Sequence, residues 1–156
     1  MNDPSPEFLE HQTERLRDLI TEMVRCCEDR NLLETKRFSL PYTELKCLLL
    51  FKGEKYLTVK GMSLKLDVAK SRVTKLVDSL LRKGLVSRID DPKDARIRLI
   101  SLSPKGKALA DEIEGFQEHL YLEILLQLEA QERKDVLSHL GTLRAAMEVV
   151  KKRFLS

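Results

Sequence analysis

Apolar residues near the start of the chain fall at Leu9, Leu16, Leu19, Ile20, Met23, Val24 and Cys27. That three-and-four spacing predicts a long amphipathic helix from about Pro6 to Arg30. The stretch from Glu28 to Phe38 is polar and unpatterned and reads as a loop. Residues 41–51 form a short, strongly apolar helix with Pro41 in its first turn, broken by Lys52, Gly53 and Glu54. Thr58 is suited to cap a second short helix in which Met62 and Leu66 give one buried edge, after a brief extended piece at Tyr56 and Leu57. Asp67 and Val68 read as a tight turn. From Lys70 onward Val73, Leu76, Val77, Leu80 and Leu81 share a face, and Gly84 is the stop.

Two short helices separated by a turn make a helix-turn-helix signature. Two strand-like runs follow, residues 85–89 and 96–102, the second alternating polar with apolar over most of its length. Between them Asp90, Asp91 and Pro92 supply a turn. The pattern is a β-hairpin attached directly to a helix-turn-helix, which is a wing. Ser103 and Pro104 then restart a helix that could run to about Leu128. A break or bend is expected over residues 129–133. Beyond it Val136, Leu137, Leu140, Leu143, Met147, Val150 and Phe154 form a last apolar stripe. The expected fold class is mainly α with a small β wing. Residues 39–107 form a winged helix-turn-helix lobe, and residues 1–38 and 108–156 form a helical dimerisation region. A lobe that small cannot bury three long stripes lying outside it, so they are expected to pack on each other and on a second copy.

Charge sharpens this division. Residues 55–107 hold 14 Lys and Arg against 5 Asp and Glu, or +9, while the remainder holds 14 against 20, or −6, which together make the net +3. A basic centre between acidic ends suggests a lobe that faces a polyanion. The alternative is an ordinary solvated surface, so the residues themselves must decide. With the apolar face of the second helix inward, Lys70, Ser71, Arg72, Thr74, Lys75, Ser79 and Arg82 point outward. Such a helix fits the major groove of B-DNA, where Arg and Lys donate to guanine and Ser or Thr reach base edges or phosphates.

The hairpin places acids at its turn and arginines, Arg88, Arg96 and Arg98, on its arms. A wing laid on a duplex needs a cation to reach a narrow minor groove or the phosphates. Asp94, two residues from Arg96, can hold that guanidinium in place beforehand by charge-assisted hydrogen bonds.

Leu57 to Asp78, Lys83 to Arg88 and Asp91 to Gly106, with its Asp94-Ala95-Arg96, resemble the multiple-antibiotic-resistance regulator (MarR) family over about residues 40–110. The resemblance implies winged-helix homodimers that bind pseudo-palindromic double-stranded operators, often as repressors released by a ligand or by oxidation. Four positions depart from the family pattern. Ala69 replaces the usual Ser or Thr cap of the recognition helix, Asp67 replaces a turn Gly, Ala95 replaces a basic wing residue, and Gly61 replaces an acid of a capping box.

The resemblance implies a ligand site between the winged lobe and the helical dimerisation region, where Met23, Cys27, Tyr42, Cys47, Phe51 and Phe116 could line a pocket, although residues of these types are more often plain core. Three cysteines, two of them adjacent, do not make a disulfide framework and suggest a reducing compartment. In the family's peroxide sensors the reactive Cys lies early in the first helix, where Arg15 to Leu19 hold none. His11, His119 and His139 are scattered, so no metal site or other cofactor is expected. Nor is there a nucleophile–base set, a phosphate loop or a pair of catalytic acids, which argues against an enzyme. No apolar run approaches a bilayer's thickness and no secretory signal opens the chain. The expected molecule is a cytoplasmic, homodimeric, ligand-responsive repressor. The alternatives are a winged-helix module that binds protein, for which apolar residues would be expected in place of Arg72, Lys75 and Arg96, or a cysteine-based redox variant.

Overall fold

The computed structural model describes residues 5–94 and 97–155. Its elements are α1 (Pro6–Phe38), α2 (Tyr42–Leu49), β1 (Leu57–Thr58), α3 (Val59–Leu66), α4 (Lys70–Arg82), β2 (Val86–Asp90), β3 (Arg98–Leu102), α5 (Pro104–Leu126) and α6 (Ala130–Leu155). The chain divides into two compact units, Met1–Ile113 and Glu114–Ser156, and α5 supplies residues to both.

The core of the first unit is built from Leu45, Cys47 and Leu48 of α2, Met62 of α3, Val73, Val77 and Leu80 of α4, and Ile100 of β3, all fully buried. The sheet order is β1-β3-β2, antiparallel throughout, with Leu57 opposite Ile100 and Arg88 also opposite Ile100 on the other side. Thr58 caps α3 by accepting from the Gly61 backbone N–H at 3.0 Å. Asp67 ends α3 in the left-handed region at φ 53°, where a short polar side chain is tolerated. Gly84, at φ 70°, takes the chain from α4 into the wing.

The start of α5 is fixed against that corner. The Ser103 hydroxyl donates to the Gly84 carbonyl at 2.7 Å and accepts from the Gly106 N–H at 2.9 Å. The Ser103 N–H donates to the Leu85 carbonyl at 3.0 Å. One hydroxyl therefore caps α5 and ties it to the residues that enter β2.

Two expectations change. The loop expected over residues 28–38 is helix, because α1 continues unbroken to Phe38. Its inward face there is Glu34 and Phe38, with Arg30 partly covered; Arg30 Nε lies 3.5 Å from Glu34 Oε1. A carboxylate occupies the position where an apolar residue would have shown the periodicity. Leu32 and Leu33 point outward instead. The second strand spans Arg98–Leu102, with Ile97 before it in a bend, and the expected start at residue 96 lies outside the described residues. Helix α5 ends at Leu126, two residues before the expected end, and the break falls over residues 127–129. Within the second unit Arg133 closes that break, its Nε donating to the carbonyls of Leu125 at 2.8 Å and Leu128 at 2.9 Å. A helix end leaves its last carbonyls without partners, and an arginine supplies donors for them.

Among the described residues, no helix is long and apolar enough to cross a membrane.

Candidate nucleic-acid interface

Helix α4 has the highest contrast between its two faces. Val73, Val77 and Leu80 are buried, and Lys70, Ser71, Arg72, Thr74, Lys75 and Arg82 lie on the opposite, solvent-facing side. The sequence dictates this, since the apolar positions recur at four and three. The outer face offers four cations, and two hydroxyls near the start. Thr74 Oγ1 donates to the Lys70 carbonyl at 3.0 Å, which keeps it on the helix surface. Arg72 also borders a cavity of about 110 Å³ with Thr43, Lys46, Leu66, Val68 and Leu76.

The helix starts without a side-chain cap. Ala69 has an extended backbone and makes no capping hydrogen bond, and the first turn contains no acid. The first-turn N–H groups and the positive end of the helix dipole thus coincide with Lys70 and Arg72, so the start of α4 is electropositive throughout.

The hairpin shows where its acids go. The Asp91 carboxylate accepts from the Lys93 N–H at 2.7 Å, closing a turn, and the Asp91 N–H donates to the Ile97 carbonyl at 3.0 Å. Asp90 stands opposite Arg98 in the ladder, and Arg98 is exposed on β3. Asp94 is half-buried, and its carbonyl accepts from the Ile97 N–H at 2.9 Å. Ala95 and Arg96 lie outside the described residues, so the Asp94–Arg96 arrangement expected from sequence has no geometry here.

Two residues are placed differently from the simple outward face. Arg88 is paired with Asp78 of α4 and is about one-third exposed at its side chain. It ties the wing strand to the helix. Ser79, expected to point outward, donates its hydroxyl at 2.7 Å to Glu44, a buried carboxylate of α2. Spacing along α4 could not reveal this, because the partner lies 35 positions away.

The six residues expected to line an effector pocket differ in exposure. Met23 and Cys27 are exposed on α1, Tyr42 is half-buried, and Cys47 and Phe51 are buried in the first unit. Phe116 is half-buried in the second unit. A groove of about 440 Å³ lined by Phe51, Gly53, Glu54, Lys55, Tyr56, Ile89, Ser101, Leu102 and Lys107 takes only Phe51 from that set. Burial, with a smaller contribution from the nearby Glu44 charge, pushes the Cys47 thiol up to about 12. It therefore stays protonated and unreactive at neutral pH. Cys26 and Cys27 are exposed. Among the described residues, no three His, Cys, Asp or Glu side chains are grouped so as to hold a metal ion.

Comparison with known proteins agrees with this geometry. Residues 38–97 match the model of the MarR family. The transcriptional regulator AdcR of Streptococcus pneumoniae is 29% identical over 112 residues, which cover 70% of this chain and 76% of that protein. A MarR family protein from Bacillus stearothermophilus has the same fold, with TM-score 0.77 and 24% identity over 89% of this chain and 97% of that one. A mutant of S. aureus MepR, solved bound to an oligodeoxyribonucleotide, superposes with TM-score 0.61 and 18% identity, covering 85% of this chain and 97% of that one. Helix-turn-helix, wing and basic helix face fall on the segment that matches the MarR family model, so it is over residues 38–97 that the chain is similar to that family.

Proposed function

We propose that the chain acts as a homodimer that lays α4 of each copy in successive major grooves of a pseudo-palindromic operator and represses transcription there, until a small-molecule effector releases it. The observation that carries the DNA contact is the outward row Lys70, Ser71, Arg72, Thr74, Lys75 and Arg82 on a helix whose other face is fully buried. Two-fold readers of this kind match the symmetry of their sites. Arg98, and Arg96 with Asp94 beside it in sequence, serve the wing contact with the backbone or minor groove.

The dimer is supported by apolar surface that the chain leaves uncovered. Helix α6 has no buried residue along its 26 positions. Leu137, Leu140, Met147, Val149, Val150 and Phe154 are all exposed. Helix α1 likewise exposes Phe8, Leu9, Leu16, Leu19, Met23 and Val24. Apolar stripes of this length mark association surfaces. The division into a winged lobe, residues 39–107, and a dimerisation region, residues 1–38 and 108–156, follows from this. The chain is assigned to the cytoplasm, where its cysteines stay reduced.

The test is selection of duplexes by the purified protein from a random pool, followed by footprinting and sedimentation. Two protected half-sites about one helical turn apart, bound by two chains, are expected. Protection of a single half-site by a monomer would overturn the dimeric reading, and failure to enrich any sequence would overturn the operator reading.

A further inference from the structure

Glu44 is a buried carboxylate outside the row of candidate DNA-binding residues, yet both of its oxygens are occupied by α4 and its cap. Oε1 accepts from the Ser79 hydroxyl at 2.7 Å, and Oε2 accepts from the Lys83 ammonium. The carboxylate sits on α2 at 5% exposure, among the fully buried Leu45, Cys47 and Leu48. Ser79 and Lys83 are one turn apart, at the end of α4 and its C-cap. The adjacent Asp78 is paired with Arg88 of β2, and the Lys83 carbonyl accepts from Lys105 at 3.2 Å. The C-terminal turn of the recognition helix is therefore held from α2, from the wing and from the start of α5.

A buried ion pair is weak support for stability, since a well-packed apolar pair of equal volume is often as good or better. What it adds is direction. The contacts of Val73, Val77 and Leu80 are apolar and tolerate small rotations of a helix in its socket. Two hydrogen bonds from residues one turn apart to two oxygens of one rigid carboxylate do not, because such bonds weaken steeply with angle. We propose that Glu44 is a positioning residue for sequence reading: through Ser79 and Lys83 it fixes the rotation and axial placement of α4, and so the aim of Lys70, Ser71, Arg72, Thr74 and Lys75. This rests on the major-groove reading of α4 given above.

Base-edge recognition depends on placement, whereas non-specific binding depends on charge. Loss of the Glu44 anchor should therefore lower affinity for the selected operator and leave affinity for a scrambled duplex of equal length nearly unchanged. The experiment measures both affinities, at one salt concentration, for the full-length wild type, Glu44→Leu, Ser79→Ala and the double variant, with thermal unfolding recorded for each. The ratio of operator to scrambled affinity should fall about tenfold in Glu44→Leu and about threefold in Ser79→Ala, with no further loss when the two are combined. Ser79→Ala changes no charge, so it decides the matter even where Glu44→Leu does not fold. A ratio within about twofold of wild type in Ser79→Ala would overturn the inference. So would operator and scrambled affinities that fall in parallel with the unfolding temperature. A wild type that enriches no sequence would overturn the reading of α4 itself and this inference with it.

Discussion

At Gly106 a single methyl group has no room. A Cβ built there would lie 1.8 Å from the Leu85 carbonyl oxygen, which is backbone and cannot swing aside. Gly106→Ala should therefore cost about 3 kcal/mol, read from urea denaturation. Ala69 is the opposite case, since α4 begins without a cap. Ala69→Ser should add about 1 kcal/mol of stability, visible as a higher urea midpoint at constant slope. Both sites bear on what the chain discloses unaided. The missing cap at Ala69 and the cap at Ser103 are legible because capping is local. The close approach at Gly106 and the Ser79–Glu44 bond are not, because their partners are brought in by the fold. The wing pair is the sharpest test at this scale. Arg96→Ala should weaken operator binding with little change in stability. Asp94→Ala should weaken it too if Asp94 holds Arg96 in place, although removing an acid near DNA ought to tighten binding. In the Arg96→Ala background the Asp94→Ala penalty should vanish, giving a coupling of about 1 kcal/mol. Tighter binding by Asp94→Ala alone would leave the acids as turn-formers only.

Among the elements, α3, α4 and the β2–β3 hairpin stand within two residues of where periodicity and turn chemistry put them. Met62 of α3, Val73, Val77 and Leu80 of α4, Val86 of β2 and Ile100 of β3 are buried, so the spacing of those residues reports directly on the structure, while Leu64 and Ile89 stay exposed. Helix α1 does not follow that rule over residues 28–38, where the buried residues include Glu34 and the leucines Leu32 and Leu33 face outward. A pattern read from hydrophobicity inverts there and suggests a loop. Helix α6 poses the complementary question, since its apolar stripe is legible but buries none of its residues. Leu137 and Leu140 are exposed, whereas Leu143 is half-buried. Charges at the first two thus probe association with least damage to the subunit. Leu137→Glu with Leu140→Glu should convert dimers to folded monomers in sedimentation at micromolar concentration. A wild type already monomeric there, or a variant that stays dimeric, would remove α6 from the interface.

For the molecule as a whole, the net value of +3 conceals how charge is distributed. The excess of +9 over residues 55–107 lies in the helix-turn-helix and wing, and the −6 lies in the flanking segments. Not every cation of the lobe is available. Lys65 is paired with Glu54, Lys83 with Glu44, Arg88 with Asp78 and Lys107 with Asp111. Lys83 and Arg88 tie elements of the lobe together, whereas the Lys65 and Lys107 pairs are exposed and contribute little to stability; of the other ten cations, Lys70, Arg72, Lys75, Arg82 and Arg98, with Arg96, are the ones expected to meet phosphate. A dimer that neutralises about six to ten phosphates should lose roughly 10³ to 10⁵ in operator affinity between about 50 and 200 mM salt. The slope of log K against log salt also sorts the arginines. Arg82→Gln, if that side chain meets a phosphate, should flatten the slope by about one per neutralised phosphate. Arg88→Gln should weaken binding while leaving the slope nearly as it was, because its partner is Asp78 and not DNA. An Arg88→Gln variant whose slope flattens as much as that of Arg82→Gln would show that the ion pair opens on the duplex and that Arg88 is a phosphate contact after all.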